Sequence, residues 1–267
     1  MPEVPHHKGS LFYQKTGSGN NVVLWFHGFG QQHQVFDKIV NTWQVNGTHY
    51  SFDLFFHGKS NWVSDIPTTH QDLQTIFQQF LTDNNINRFS IVAFSIGCRF
   101  AFSLTKAFPD KIQNLILLAP DGIQFRFWYW LATYPAVSRK IFKRIVSQPA
   151  WWHRLLSILE FTHIVDKKLL RFAQRQMDGQ QKREQVYNTW VNFRHLKTNT
   201  KTLTQLMHTH RFSITLIAGS RDKLVPARLV KKLKNYIADA PLHVFDTHHN
   251  DLIEASQETI FKVLNNQ

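Results

Sequence analysis

The residues able to do chemistry gather at the ends of four short apolar runs. Ala93-Phe94-Ser95-Ile96-Gly97 follows Phe89-Ser90-Ile91-Val92 and precedes a helical pattern. A serine on a tight strand-to-helix turn projects its hydroxyl above a sheet, and its neighbours two positions away must be small. Ala93 and Gly97 meet that need, with Ala93 where the G-x-S-x-G pattern has its first glycine. His27-Gly28-Phe29-Gly30 follows the run Val22–Phe26. A His-Gly turn there can aim a backbone N–H at a nucleophile. The N–H groups of Phe29 and Ile96 are therefore the candidate pair for holding a developing oxyanion. Asp222, in Gly219-Ser220-Arg221-Asp222-Lys223-Leu224-Val225-Pro226, follows Ile214–Ala218. A carboxylate there can accept from a histidine Nδ1–H and fix its tautomer. Asp121, after Asn114–Ala119, competes for that role. His248 and His249 follow Leu242–Phe245, and one of them is placed to act as general base. Plainer readings exist for each: a strand end, a Gly-rich turn, a helix-capping Asp, a surface His. The order Ser, Asp, His along the chain favours the chemical one.

These residues need a frame that brings them together. A chain of 267 residues suits one large domain, or one domain with a sizeable insertion. Its 43% hydrophobic content excludes a disordered chain. Val22–Phe26, His49–Leu54, Phe89–Phe94, Asn114–Ala119, Ile214–Ala218 and Leu242–Phe245 read as buried strands. Residues 10–17 are predicted to add an antiparallel edge strand. Helical patterns lie at His70–Leu81 with Thr69 as cap, Ile96–Phe108, Ala227–Ala238 and Asp251–Leu264. The alternation predicts an α/β fold: a doubly wound, mostly parallel sheet. Phe125–Lys201 breaks the alternation and reads as helices only. The expected division is a core of residues 1–123 and 206–267, with an inserted all-helical cap at 124–205.

The chain resembles the α/β-hydrolase superfamily, and is most similar to its small capped serine esterases, including those that cleave carrier-protein methyl esters. The likeness covers roughly residues 20–123 and 212–265. The family's oxyanion loop resembles His27-Gly28-Phe29-Gly30. Its D-x-x-G-H-G-x-S segment resembles Asp53-Leu54-Phe55-Phe56-His57-Gly58-Lys59-Ser60, with Phe56 where glycine is usual. Its G-x-x-D-x-x-x-P loop is met by Gly219, Asp222 and Pro226. Its final motif places a Glu five residues after the catalytic histidine, and Glu254 stands so after His249. The resemblance thus implies Ser95 as nucleophile, His249 as base, Asp222 as its partner and an acyl-enzyme intermediate. It also implies ester or thioester cleavage, and the sequence shows no Cys/His ligand spacing and no phosphate-binding Gly loop, so no metal and no cofactor are expected. C–C bond hydrolysis, or a non-hydrolytic binding protein on the same fold, is the alternative. Relatives with dehalogenase or epoxide hydrolase chemistry use Asp at the elbow, so Ser95 argues against those reactions.

Composition adds a second theme. The formal net charge is +13, and Arg126–Lys201 carries fifteen Lys and Arg against four acids. The same stretch holds Phe127-Trp128-Tyr129-Trp130, Trp151-Trp152, Phe161, Phe172, Trp190 and Phe193. One reading is a lid whose aromatics line an apolar pocket, with Phe94, Trp128, Trp130, Trp152 and Trp190 as substrate candidates. The sharper reading is a receptor for an apolar acyl or aromatic small-molecule substrate with an anionic handle, such as coenzyme A or an acidic acyl carrier. Trp128–Val137 followed by Arg139-Lys140-Ile141-Phe142-Lys143-Arg144 also suits an anionic membrane surface. No nucleic-acid-binding module is recognisable, so no nucleic acid is expected. Cys98, the single cysteine, excludes an intramolecular disulfide and is expected to pack on the buried face of the helix after Ser95. The sequence shows no secretory signal and no long apolar span, so a cytoplasmic protein is expected.

Overall fold

The computed structural model describes residues 2–43, 47–123, 127–162, 174 and 177–265. The side chains of Trp43, Phe161 and Thr162 are outside that description, as is all of Phe125, Arg126 and Phe172.

The chain forms two compact units, Met1–Gln124 with Leu196–Gln267, and Phe125–His195. The first unit holds a nine-stranded sheet. Its strands are β1 (Glu3–His6), β2 (Gly9–Thr16), β3 (Asn21–Phe26), β4 (Gly47–Phe52), β5 (Asn61–Trp62), β6 (Phe89–Phe94), β7 (Ile112–Leu118), β8 (Ser213–Gly219) and β9 (Leu242–Phe245). The spatial order is β1-β2-β4-β3-β6-β7-β8-β9, with β5 paired to β2. From β4 to β9 every pairing is parallel. All six residues of β6 are buried, as a central strand covered on both faces requires. The expected α/β, doubly wound and mostly parallel sheet is present.

The N-terminal strand is antiparallel to β4 as expected, but it is not the edge. β1 and β5 both pair with it. Pro2 and Pro5 hide β1 from a propensity reading, and Pro5 is tolerated because β1 itself is an edge. Two further differences are local. Helix α1 (Asp37–Trp43) follows a 3₁₀ turn at His33–Phe36 and was not anticipated. The C-terminal helix is broken into Leu252–Ala255 and Gln257–Asn265. The break falls at Ser256, whose hydroxyl donates to the Leu252 carbonyl at 2.7 Å. A serine bonding back to that carbonyl bends a helix.

Helix α2 (His70–Asp83) begins as the sequence indicates. The Thr69 hydroxyl accepts from the Asp72 N–H, and the Asp72 carboxylate accepts from the Thr69 N–H. Helix α3 (Cys98–Ala107) follows Ser95 after a short 3₁₀ turn, Ser95–Gly97, and is buried along most of its length.

The regular elements described in the second unit are all helical: Phe127–Thr133, Ala136–Ser147, Pro149–Thr162, Gln180–Asn192 and a 3₁₀ turn at Phe193–His195. Phe142 packs against Tyr187 and Trp190, with ring centroids 5.2 and 6.0 Å away. Buried Arg183 donates from Nε to the Val146 carbonyl at 2.9 Å, so this cation is structural. The boundary falls at Leu196, not near residue 206. The helix Thr200–His210 belongs to the sheet unit because it packs on α3 and on the helix Ala227–Tyr236.

Replacing Thr69 with Ala removes the hydroxyl half of the cap on α2 and leaves the Thr69 N–H to the Asp72 carboxylate. The expected cost is ~1 kcal/mol in urea unfolding, with the folded far-UV spectrum unchanged.

Candidate active site

Because β3, β4, β6, β8 and β9 run parallel, the loops leaving their C-terminal ends share one edge of the sheet. That is where open α/β sheets place their sites. Ser95 leaves β6 with φ +52°, a left-handed backbone costing ~1–2 kcal/mol for a residue with a Cβ. Two residues on, the chain passes so close to β3 that a Cβ on Gly97 would lie 2.5 Å from the Phe26 carbonyl oxygen. Only glycine fits there. At the other small position, the methyl of Ala93 is fully buried between Phe26 and Leu117 of the neighbouring strands. The Ser95 carbonyl accepts from the Asp121 N–H at 3.2 Å, which ties the turn to the end of β7.

The long-range partners meet at this turn. His249 Nε2 lies 3.0 Å from Ser95 Oγ, and its Nδ1 lies 2.5 Å from Asp222 Oδ2. With the Nδ1–H donated to Asp222, Nε2 is left to accept the Ser95 O–H. Asp222 is buried, and its other oxygen accepts from the N–H groups of Leu224 and Val225 at 2.7 and 2.8 Å. The carboxylate is thus fixed before it meets the imidazole. Phe94 is buried, and its ring lies 4.7 Å from that of His249.

The competing residues are otherwise engaged. His248 is exposed, and its Nδ1 faces the Arg221 carbonyl at 3.2 Å. Asp121 accepts from Arg99 Nε at 2.8 Å. Glu254, five residues past His249, is exposed and pairs with Lys38. Of the aromatic substrate candidates in the helical unit, Trp128 and Trp130 are exposed, Trp152 is buried, and Trp190 packs on Tyr129 and Phe142.

Ile96 lies in the first turn of its helix, so its N–H has no acceptor within that helix. Among the described residues, the Phe29 N–H donates to no protein acceptor. The loop carrying Phe29 is held by two histidines that brace it reciprocally to the loop after β4. His27 donates from Nδ1 to the Gly28 carbonyl at 2.7 Å and accepts at Nε2 from the Leu54 N–H at 3.0 Å. His57 donates from Nδ1 to the Phe55 carbonyl at 3.0 Å and accepts at Nε2 from the Gly30 N–H at 3.1 Å. Both must be neutral to do this. Burial pushes His27 down to about 3 and His57 down to about 4. Beneath them, buried Asp53 accepts from the N–H groups of His33 and Lys59 at 2.7 and 2.9 Å. The sequence showed these histidines only as motif letters. Their bracing role depends on which carbonyls and amides face them.

A His6, His7 and Asp72 cluster brings possible metal-ligand atoms together at the β1 end. Its carboxylate is already occupied, by the Lys8 ammonium at 2.7 Å and by Thr69. We read it as structural.

The model of the family described as "Serine aminopeptidase, S33" matches residues 17–253. The chain belongs to this hydrolase family. An Arabidopsis thaliana protein named "Probable lysophospholipase BODYGUARD 2" is 22% identical to this S33-family chain over 271 residues. That match covers 91% of the chain and 57% of the relative, so the chain spans little more than half the relative's length. A pimeloyl-[acyl-carrier protein] methyl ester esterase of Nitrosomonas europaea is 27% identical over 123 residues, 45% of this chain and 46% of that one. The enol-lactonase of Burkholderia xenovorans LB400 superposes with a TM-score of 0.71 at 17% identity, over 99% of this chain and all of its own. That likeness establishes the α/β-hydrolase fold.

The two bracing histidines make stability depend on pH with a definite sign. Their folded values lie below the ordinary value near 6.5, so their contribution is complete above pH ~6.5. It falls as acid protonates the unfolded chain first, down to about pH 4 for His57 and about pH 3 for His27. As the pH falls below about 6, urea unfolding is expected to lose stability with a slope approaching ~1.4 kcal/mol per pH unit for each histidine. The slope of His57→Gln should be about half as steep. Identical slopes in the two proteins would remove His57 from this account.

Proposed function

We propose that the chain hydrolyses carboxylic esters or thioesters, with Ser95 as nucleophile, His249 as general base and Asp222 as the carboxylate that orients it. The carrying observation is the continuous hydrogen-bond path from Asp222 Oδ2 through His249 to Ser95 Oγ. Ser95 Oγ attacks the acyl carbon as its proton passes to His249 Nε2. The N–H groups of Phe29 and Ile96 hold the oxyanion of the tetrahedral intermediate. His249 then returns the proton to the departing alkoxide or thiolate, leaving an acyl group on Ser95. Water, deprotonated by the same imidazole, releases the acid. The buried, hydrogen-bonded carboxylate of Asp222 stabilises the imidazolium formed at each half of the cycle.

The substrate class we favour is an apolar acyl ester or thioester bearing an anionic group. The name of the Nitrosomonas relative describes an acyl group on a carrier protein, and that of the Arabidopsis relative a lysophospholipid. A helical unit rich in Lys, Arg and Trp is chemically suited to both parts of such a molecule.

Ser95→Ala is expected to lower kcat on p-nitrophenyl esters by a factor on the order of 10⁴–10⁶, and to abolish labelling by a fluorophosphonate. Asp222→Asn should cost about 10⁴, because the wrong histidine tautomer is then favoured. His248→Gln should leave the rate within about threefold, since its ring is turned to the Arg221 carbonyl. Wild-type turnover by Ser95→Ala would show that the hydroxyl at the turn is not the nucleophile.

A further inference from the structure

We propose that the exposed face of the helices Ala136–Ser147 and Pro149–Thr162 docks on an anionic lipid bilayer. Large apolar side chains are not distributed evenly over the surface. Of the eleven exposed ones among the described residues, seven lie between Phe127 and Ile158: Phe127, Trp128, Trp130, Val137, Ile141, Trp151 and Ile158. Val137 is 71% exposed and Ile141 52%. They lie one turn apart on the first of the two helices, and Lys140 and Arg144 share their face at i+3 and i+7 from Val137. Lys143 is exposed beside them. On the second helix, Trp151, Arg154 and Ile158 repeat the spacing. The Arg144 guanidinium sits 5.1 Å from the Trp151 ring centre, which joins the two faces.

These cations differ from those that hold the unit together. Arg183 is spent on the Val146 carbonyl, and Arg139 bonds the Tyr134 carbonyl. Lys140, Lys143, Arg144 and Arg154 are exposed and interleaved with apolar side chains. The opposite side of the first helix is satisfied internally, with Phe142 against Tyr187 and Trp190 and with Val146 buried.

Charge and apolarity together identify the occupant. An acidic polypeptide would need the cations, but would leave Val137, Ile141 and Ile158 without apolar partners. A neutral bilayer would take the apolar groups and ignore the cations. An anionic bilayer accepts both: Ile, Val and Trp enter the headgroup region while Lys and Arg meet phosphates. No helix of the described residues is long and apolar enough to cross a membrane, so the contact is peripheral.

The test is co-sedimentation of the full chain with phosphatidylcholine vesicles, with and without about one third phosphatidylglycerol. Partition should be strong on the anionic vesicles, weak on the neutral ones, and reduced by raised salt. Each cation at such a surface is worth about fivefold in partition, so Lys140→Gln/Lys143→Gln/Arg144→Gln should lose on the order of a hundredfold. Val137→Ser/Ile141→Ser should lose at least about tenfold while keeping its salt dependence. Both variants should keep the parent's far-UV spectrum and urea midpoint, which certifies their folding. Partition is read without turnover, so a failure of the hydrolase reading leaves this test intact. Equal partition on the two vesicle types would overturn the proposal. So would unchanged binding by both variants, or retention on immobilised polyglutamate with no vesicle partition.

Discussion

The site depends on one close approach of backbone to backbone. To turn from β6 into its helix within a few residues, the chain places Ser95 in a left-handed conformation and passes Gly97 against the carbonyls of Phe26 and His27. The strained residue is held by what surrounds it. Its strand is hydrogen-bonded on both sides, its carbonyl accepts from Asp121, and the Cys98 thiol lies 3.2 Å from the Ala93 carbonyl. Strain of this kind persists only where the surrounding structure over-determines it. The parallel sheet is the rigid element that does so here.

Around that turn, the polar groups are arranged to avoid spare charge. His27 and His57 are buried and neutral, each serving as donor at one nitrogen and acceptor at the other. They fix a loop whose Phe29 N–H, among the described residues, donates to no protein acceptor. Asp222 carries the buried charge, and its oxygens are shared among two backbone amides and His249. Asp53 plays a similar part under the neighbouring loop. A Cβ on Gly58, at φ +52°, would fall 2.0 Å from its carboxylate oxygen. Phe56, where glycine is the commoner choice in the motif, also sits at φ +66°. Phe56 thus holds a left-handed backbone that favours glycine, in spite of its Cβ.

Much of this was legible in the residues. β6 and β9 begin and end where their apolar runs do, and the Thr69 cap needs only local chemistry. The four motifs could be ordered because each follows a strand, and parallel strands deliver their ends to one edge. Less was legible where tertiary contacts override local preference. β1 carries Pro5 and owes its existence to β2, while β5 is two residues long and has no pattern to detect. Two adjacent histidines cannot be told apart by type or spacing alone. The family motif favours His249, and only the geometry shows His248 turned toward the Arg221 carbonyl. Arg99 with Asp121 was equally hidden, since the pair is separated by a helix and a strand. The division near residue 196 was missed because a helical pattern does not say which neighbours the helix Thr200–His210 will pack on.

The chain's single thiol sits directly behind the turn. Cys98 is fully buried, and burial raises its thiol well above the ordinary value, so as folded it is a poor nucleophile toward alkylating reagents. Because its S–H is directed at the carbonyl of Ala93, the sulfur can meet solvent only when the strand end and the helix start come apart. Its alkylation rate therefore reports opening of the packing behind Ser95.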